Sequence, residues 1–236
     1  MSRRKQSPID IQDTVARTVH LPPLVFIGHW RNEGEAVLIN DGEHATIKLS
    51  GDRIPSIIKC GPLGDEDYEL HDVHFHWGEE DCCGSEHSLN STWFSMEAHA
   101  VHWNRKYRAF EESLKYEDGL CILTYLFQVK APCNAESYAL SDDVYQQLDQ
   151  IIEPGSAAKV PANCLYWMRS ALHSKYYYVY QGSYNAAFDN PECATWVVFP
   201  GVMVVRSDQN DAGKRIEANR RAVQHLYERK IYKVSC

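Results

Sequence analysis

The 236-residue chain lacks any run of about 18 apolar residues, so the sequence predicts no membrane-spanning helix. Its basic start, MSRRKQ, is not followed by the apolar stretch of a signal peptide. The chain as given is therefore interpreted as cytoplasmic, with an N-terminus that an upstream exon could extend. The chain has fewer basic than acidic residues: 24 Lys and Arg and 32 Asp and Glu give a net charge of −8. This balance argues against nucleic acid or an anionic membrane as a partner, because such binders carry a basic patch or stripe.

The eight cysteines include no CxxC pair and no regular framework of the kind that staples small secreted domains. Cys82 and Cys83 are adjacent, which is a poor arrangement for a bond between them, and Cys121 lies inside an apolar run typical of a core. A single domain of this size buries roughly 70–75% of its unfolded surface and needs no disulfide for stability. We therefore predict reduced thiols in a reducing compartment.

The chain also lacks internal repeats, low-complexity segments and linkers rich in Pro or Ser, so we expect a single domain over residues 1–236. Much of it alternates polar and apolar residues, which is typical of strands. Strands are predicted at residues 36–40, 46–49, 68–77, 94–103, 119–129, 176–180 and 194–199. Helical periodicity is thinner, and its clearest instance, at residues 141–152, begins with Ser141 as N-cap. The predicted fold class is mainly β with peripheral helices (α+β).

Two of the predicted strands carry histidines with metal-ligand spacing. Residues two apart in a strand point to the same side, so Asp72, His74 and His76 of the segment DVHFHWG share a face. In the segment MEAHAVH, at residues 96–102, Glu97 and His99 share a face. Three neutral imidazoles with an open fourth position suit a catalytic Zn²⁺, whereas structural zinc sites are closed and usually hold thiolates.

An acidic residue stands two positions before the first histidine of each segment. Asp72 and Glu97 can therefore accept the second ring N–H of a ligand, which fixes its tautomer and raises its basicity. A lone strand histidine is more often an ordinary core or surface residue than a ligand, and a His-x-His pair alone recurs by chance. The pair combined with Glu-x-His on a following strand favours the metal site.

These motifs closely resemble the active-site signature of the alpha-class carbonic anhydrases. The resemblance is carried by VHFHWG at residues 73–78, GSEH at 84–87 and EAHAVHWN at 97–104, and it extends from QSPIDI at 6–11 to NRRAVQHL at 219–226. It implies a large, mostly antiparallel twisted central sheet with Zn²⁺ at the bottom of a cone-shaped cleft. It also implies reversible hydration of CO₂ to bicarbonate and a proton by zinc-bound hydroxide, chemistry for which this family is the standard example.

The resemblance assigns the metal and its supporting residues by position. His74, His76 and His99 match the zinc ligands, and Glu97 matches the partner of His99. Asp72 stands where the family usually has a neutral amide beside the first ligand. A carboxylate there should make His74 a stronger donor and raise the pKa of the zinc-bound water.

Further residues are implied in the same way, and one of them departs from the family. Glu86 matches a buried acid that orients a threonine hydroxyl, but Asn185 stands at the threonine position, in a loop with one extra residue. An amide cannot pass on a hydroxyl proton, and loss of a preorganised hydrogen bond can cost about 10²–10³ in rate. His87, His102, Trp103 and Asn104 are interpreted as structural. The apolar wall that suits uncharged CO₂ corresponds to Val101, Ile122, Tyr184 and Trp196, the tyrosine replacing a leucine.

The proton shuttle is a second departure. The family motif is Asn-x-Gly-His, whereas this chain has NDGEH at residues 40–44. In the ungapped register Glu43 takes the shuttle position and His44 faces the other side of the strand, and a one-residue bulge would bring His44 back. An imidazole is better matched to neutral pH than a carboxylate with a pKa of about 4.3. In addition, the family's aromatic-rich segment before QSP is missing from this chain.

We therefore predict a Zn²⁺-dependent carbonic anhydrase, a lyase slower than the fast family members. It is expected to be a monomer that acts on CO₂ and bicarbonate and is inhibited by sulfonamides or anions. The alternative is a zinc-binding relative that acts as a binding module with little or no turnover, although such relatives usually lose a ligand histidine that this chain keeps. A third hypothesis, a purely structural zinc, predicts loss of the fold on chelation.

Overall fold

A computed structural model describes residues 5–130, 144, 146–184, 193–206 and 218–235. Within these ranges the strands are β1 (Asp10–Ile11), β2 (Arg17–His20), β3 (Leu24–Ile27), β4 (Glu35–Asn40), β5 (Ala45–Ser50), β6 (Ile57–Cys60), β7 (Tyr68–Trp77), β8 (Ser88–Leu89), β9 (Met96–Asn104), β10 (Leu120–Lys130), β11 (Ala157–Val160), β12 (Tyr176–Gly182), β13 (Ala194–Arg206) and β14 (Tyr232–Ser235). The helices are short: α1 (Phe110–Ser113) and 3-10 helices at Asp13–Val15, Gly61–Leu63, Arg105–Tyr107, Leu148–Gln150 and Tyr166–His173.

Twelve of the described strands form one large sheet. Its main path runs β11-β4-β5-β7-β9-β10-β13-β12-β14-β2, and β6 joins β3 to β7. Within the described part of this sheet, β10–β13 and β14–β2 are parallel, and the other pairings are antiparallel. The predicted fold class, a mostly antiparallel central sheet with few peripheral helices, is confirmed.

The two faces of the central strand β7 have different surroundings. Val73, Phe75 and Trp77 are buried in the main apolar core. There the ring of Phe75 lies 6.1 Å from that of Trp167. Because side chains alternate along a strand, this packing turns His74 and His76 to the opposite face. Core packing on one side therefore fixes which side carries the imidazoles.

The register between strands then brings the histidines of separate segments together. His74 of β7 pairs directly with His99 of β9, and His99 pairs with Thr124 of β10. Directly paired residues have their Cβ atoms about 4.5–5.5 Å apart. Two residues further along β9, on the same face, Val101 pairs with Ile122 of β10. The row that pairs His74 with His99 thus lies between the row that pairs His76 with Glu97 and the row that contains Val101 and Ile122.

The other expectations concern helices and cysteines. Most of the helix expected at residues 141–152 lies outside the described residues, and the described part contains only the 3-10 helix Leu148–Gln150. No helix in the described part of the chain is long and apolar enough to cross a membrane. The cysteines within the described ranges are free thiols, namely Cys60, Cys82, Cys83, Cys121, Cys164 and Cys193.

Candidate metal centre

A cavity of about 320 Å³ lies over the histidine face of the sheet. Its lining is polar and titratable and includes Asp41, Glu43, His44, Thr46, Lys48, Asp72, His74, His76, Glu86, His99, Tyr184, Trp196, Asn219 and Arg221. A larger cavity of about 590 Å³, beside β12 and β14, has no histidine or cysteine in its lining. The smaller cavity is therefore the candidate site.

The three histidines matched to zinc ligands lie together in this cavity. The ring centroids of His74 and His76 are 5.1 Å apart, those of His74 and His99 are 5.4 Å apart, and those of His76 and His99 are 4.4 Å apart. All three residues are buried. The structure thus brings together imidazoles from two strands whose histidines are more than twenty residues apart in the sequence.

In two of these histidines, a carboxylate accepts a hydrogen bond from one ring nitrogen, which we call the outward nitrogen. His74 Nδ1–H donates to Asp72 Oδ1 at 2.8 Å, and His99 Nε2–H donates to Glu97 Oε1 at 2.5 Å. A neutral imidazole carries its proton on one nitrogen and a lone pair on the other. These hydrogen bonds therefore leave lone pairs on His74 Nε2 and His99 Nδ1.

His76 completes the donor set. Its Nδ1 lies 3.5 Å from the carbonyl oxygen of Asn219 and 3.3 Å from Glu86 Oε1, while its Nε2 lies 3.0 Å from His99 Nδ1. When His76 Nδ1 and His99 Nε2 act as donors, the lone pairs of His76 Nε2 and His99 Nδ1 face each other at 3.0 Å. A tetrahedral Zn²⁺ with nitrogen ligands at about 2.0–2.1 Å would hold them about 3.3 Å apart. The donor set therefore fits a zinc ion, which would remove the repulsion between the lone pairs.

Burial keeps His76 and His99 in the neutral form that binds metals. It lowers the pKa of His99 to about 4, more than the hydrogen bond to Glu97 raises it. Burial also lowers the pKa of His76 well below its ordinary value, and the neighbouring His99 and His74 lower it further. Both rings are therefore neutral at pH 7. Each already has one nitrogen lone pair, so a metal could bind without the loss of a proton from the ring.

Glu97 is the most extensively anchored side chain of the site. Besides His99, its Oε1 accepts a hydrogen bond from His87 Nδ1 at 2.6 Å, and its Oε2 accepts from the backbone N–H of Glu86 and of His87 at 3.0 and 2.7 Å. Burial alone would raise the pKa of Glu97, but the charge of His87 and the hydrogen bonds from His87 and His99 lower it well below its ordinary value. The carboxylate is therefore ionised and fixed behind its ligand.

Glu86 is a second buried carboxyl with the opposite behaviour. Its Oε1 accepts a hydrogen bond from the backbone N–H of Arg221 at 2.7 Å. Burial, followed by the negative charge of Glu97, raises the pKa of Glu86 to about 8. Glu86 is therefore mainly protonated at pH 7. Asn185, which the family resemblance places at the threonine position beside this acid, lies outside the described residues.

Both candidates for the proton shuttle, Glu43 and His44, lie at the cavity. The His44 ring lies 4.8 Å from the rings of both His74 and His76. It does so without a bulge, because His44 belongs to a turn before β5 in which Asp41 Oδ1 accepts from the backbone N–H of Glu43 and of His44. Glu43 lines the same cavity.

His44 differs from the other three imidazoles in exposure and support. Its side chain is 21% exposed, and burial lowers its pKa to about 4. Its ligating atom and those of His74 and His76 lie within 4.8 Å of one another, as do those of His76, Glu86 and His99. The geometry alone therefore makes His44 a competing ligand, but its Nδ1 lies 3.8 Å from Asp41, beyond the hydrogen-bond distances that fix His74 and His99.

The residues expected to form the apolar wall divide into two layers. Tyr184 and Trp196 line the cavity. Val101 and Ile122 are fully buried in the apolar cluster that contains Trp196 and packs against Tyr184. The Trp196 ring lies 4.9 Å from that of His99. Only the outer layer can touch a small substrate, and the inner layer supports it.

The sequence predicts no role for Asn219 in the site and only a structural role for His87. The Asn219 side chain donates to the carbonyl oxygens of Glu43 and Phe75 at 2.8 and 3.0 Å and accepts from the backbone N–H of Trp77 at 3.0 Å. Asn219 thereby ties the distant C-terminal segment to β7 and to the turn that carries His44. Only the resemblance of residues 219–226 to the family pointed to this segment, since no spacing in the sequence predicts these contacts.

Comparison with known proteins gives the same classification as the site. The family model for eukaryotic-type carbonic anhydrases matches residues 1–235. The chain therefore belongs to the eukaryotic-type, or alpha, carbonic anhydrase family. Among individual relatives, human carbonic anhydrase 3 is 31% identical over 208 residues, which cover 86% of this chain and 75% of that protein. Membership supports CO₂ hydration, a lyase reaction, zinc and inhibition by sulfonamides or anions at the level of the family.

Proposed function

We propose that this chain catalyses the reversible hydration of CO₂ to bicarbonate and a proton, with Zn²⁺ held by His74 Nε2, His76 Nε2 and His99 Nδ1. The observation that supports this ligand set is the arrangement of lone pairs, with His76 Nε2 and His99 Nδ1 3.0 Å apart and the outward nitrogens engaged elsewhere. When bound, Zn²⁺ would supply the Lewis acidity that makes water a nucleophile at neutral pH.

The acidic partners set the strength of the ligands. Glu97 and Asp72 accept the outward N–H groups of His99 and His74, which orients the rings and increases the electron density at the metal-facing nitrogens. Burial would raise the pKa of Asp72, but the hydrogen bond from His74 contributes to lowering it overall, so Asp72 is ionised at neutral pH. We propose that this second carboxylate moves the activity to higher pH.

Substrate would bind against the outer apolar layer. Trp196 and Tyr184 offer aromatic surface beside His99, and CO₂ carries no net charge for a polar group to hold. The product is an anion, and the cavity lining also contains the cationic side chains of Lys48 and Arg221. The two kinds of surface suit an apolar substrate and a charged product.

Proton removal is the step that we propose to limit this protein. His44 is the imidazole at the cavity that is partly exposed and not held by a short hydrogen bond, so it can accept the proton and release it to solvent. An efficient acceptor has a pKa near the working pH. Because burial lowers the pKa of His44 to about 4, it holds a proton only briefly at pH 7. We therefore propose a rate below that of the fast family members.

Stopped-flow measurement of CO₂ hydration, on protein whose zinc content has been determined, tests this proposal. Hydration above the buffer rate that is abolished by a sulfonamide is the expected result. The variant His74→Gln is the matched control, because it removes one ligand and should lower both zinc content and rate. Folded, zinc-loaded protein without hydration would overturn the proposal and favour the binding-module alternative, which saturable binding of a partner without turnover would then support.

A further inference from the structure

A second group of metal-ligating side chains lies outside the cavity, in the loop between β7 and β8. Glu80 and Cys82 are exposed and Cys83 is half-buried. The sulfur atoms of Cys82 and Cys83 are 3.6 Å apart, and Glu80 Oε2 lies 3.4 Å from Cys82 Sγ. One ligating atom from each of these residues lies within 4.8 Å of the other two. The ligands of the first site play no part in this group.

These separations match those between ligands of one tetrahedral ion. Zinc binds thiolate sulfur at about 2.3 Å and carboxylate oxygen at about 2.0–2.2 Å. Tetrahedral angles then place two sulfurs about 3.8 Å apart and a sulfur and an oxygen about 3.6 Å apart. The observed 3.6 and 3.4 Å are each about 0.2 Å shorter. The three donors therefore need only small movements to surround a cation.

The loop that carries the donors is closed at its base by backbone contacts. A Cβ atom added to Gly78 would lie 2.7 Å from the carbonyl oxygen of Cys83, and one added to Gly84 would lie 1.8 Å from that of Ser95. The Gly84 N–H donates to the carbonyl oxygen of Phe94 at 2.8 Å. Inside the loop, the Cys83 N–H donates to the carbonyl oxygen of Glu80 at 3.3 Å. The donors thus extend from a turn that backbone contacts hold closed.

The surroundings of the thiols favour a cation over a role as nucleophile. Hydrogen bonds with Cys83 and then with Glu80 raise the pKa of Cys82, because a thiolate there would lie beside a second sulfur and a carboxylate. Reactive cysteines have lowered pKa values, usually beside cationic groups. A bound divalent cation would neutralise the crowded negative charge and replace the thiol protons.

We propose that Glu80 Oε2, Cys82 Sγ and Cys83 Sγ form a second metal site, selective for a thiophilic divalent cation such as Zn²⁺ or Cd²⁺. Binding forms two metal–sulfur bonds and one metal–oxygen bond, and the two thiols release their protons to solvent. Because the loop is exposed, water can complete the coordination. Thiolate ligands distinguish this site from the imidazole site both in metal preference and in spectrum.

The test is a Cd²⁺ titration of the full chain whose histidine site already holds zinc, in the presence of a non-thiol reductant. The expected result is one further equivalent of bound Cd²⁺, with thiolate-to-metal charge-transfer absorption in the ultraviolet and release of two protons. The double variant C82S/C83S should lose the absorption and the further equivalent, yet keep its first zinc and its CO₂ hydration rate. The matched control is Cys60→Ser, which removes a free thiol elsewhere and should leave the absorption unchanged.

A third variant, Glu80→Gln, tests the carboxylate and should weaken Cd²⁺ binding by about tenfold or more. The proposal is overturned if no charge-transfer absorption develops, or if the absorption persists in C82S/C83S. It is also overturned if titration of the reduced protein finds the same number of reactive thiols with and without Cd²⁺, because Cys82 and Cys83 should be protected by the metal. These results are independent of CO₂ hydration, so failure of the proposed activity would not be confused with failure of the second site.

Discussion

Asp72 Oδ1 accepts a hydrogen bond from His74 Nδ1 at 2.8 Å, so an ionised carboxylate stands directly behind a candidate zinc ligand. His71 Nε2 lies 3.6 Å from Asp72 Oδ2 on the other side of the carboxylate. The family resemblance implies a neutral amide at this position. The pair Asp72–His74 is therefore the place where this chain should differ most in the acidity of its metal site.

The variant Asp72→Asn keeps an acceptor for His74 but removes the charge. We expect the pH profile of CO₂ hydration to move to lower pH, because a weaker donor leaves the metal more acidic, and we expect zinc affinity to fall by about 10–100-fold. The measurement is kcat/KM against pH, with zinc content determined at each point. Asp67→Asn is the charge-matched control, because Asp67 contacts Lys59 at the surface and should leave the profile unchanged. A profile in Asp72→Asn identical to that of the wild type would contradict the account.

His44 is either a proton acceptor or a fourth metal ligand, and His44→Ala separates these roles. We expect zinc content to stay the same and kcat to fall, toward the low end of the 10²–10⁴-fold typical of general acid–base groups, because the lowered pKa of His44 already makes it a weak acceptor. Addition of imidazole buffer should restore part of the rate. Loss of zinc from this variant would instead assign His44 to the ligand set.

Glu97 and Glu86 are both buried but should respond oppositely to substitution by glutamine. Glu97→Gln replaces a carboxylate that accepts only with an amide that must place an NH₂ group among the N–H donors of His87 and His99, and we expect a loss of about 1–3 kcal/mol in the free energy of unfolding at pH 7. Glu86→Gln replaces an acid whose pKa of about 8 keeps it mainly neutral at pH 7. Its stability should therefore be equal to or above that of the wild type.

Urea unfolding of the metal-free variants measures both effects under the same conditions. The sign for Glu97 follows from its lowered pKa, because the stability it contributes is present above the ordinary value of 4.5 and is lost as the pH falls below it. Equal decreases in the free energy of unfolding of both variants would contradict the prediction that Glu97 is ionised while Glu86 is mainly neutral.

A buried histidine pair away from the cavity provides a pH test of stability. His102 Nδ1–H donates to the carbonyl oxygen of Ala100, so its Nε2 accepts from His29 Nε2 at 2.9 Å. Burial lowers the pKa of His102 to about 3 and that of His29 well below its ordinary value. Both are neutral in the folded protein but gain protons when unfolded below pH 6.5. Stability is therefore complete above pH 6.5 and is lost as the pH falls.

The expected slope from His102 alone is up to about 1.4 kcal/mol per pH unit between 6.5 and about 3. Unfolding by urea at several pH values measures this slope, and His102→Gln, whose amide can still accept from His29, should reduce it. A slope that His102→Gln leaves unchanged would exclude this pair as its source.

The sequence predicts the strand that carries His74 and His76 because its alternation is strict and its apolar side is bulky enough to fill the core. It predicts β13 only as far as residue 199, while the strand continues to Arg206, because Pro200 and Gly201 are typical of a strand end. Pairing with β10, which continues on both sides of the register shift, overrides those two residues.

Two features of the site depended on contacts that spacing does not encode. The orientation of His44 follows from the turn at Asp41, whose side chain accepts from two backbone N–H groups, whereas an ungapped register assumes a regular strand there. Asn219 acts through hydrogen bonds to residues about 140 positions away. The carboxylates Asp72 and Glu97 were predictable because each lies two positions from its histidine on the same strand face.

Removal and return of zinc shows whether an ion held by the three histidines carries the activity. The protein is treated with a chelator, its fold is checked by circular dichroism, and CO₂ hydration is measured by stopped flow as zinc is added back. We predict a folded metal-free protein without activity and a rate that rises in proportion to bound zinc until His74, His76 and His99 are filled. Zinc-replete protein that hydrates no CO₂, or a fold that is lost on chelation, would contradict this prediction.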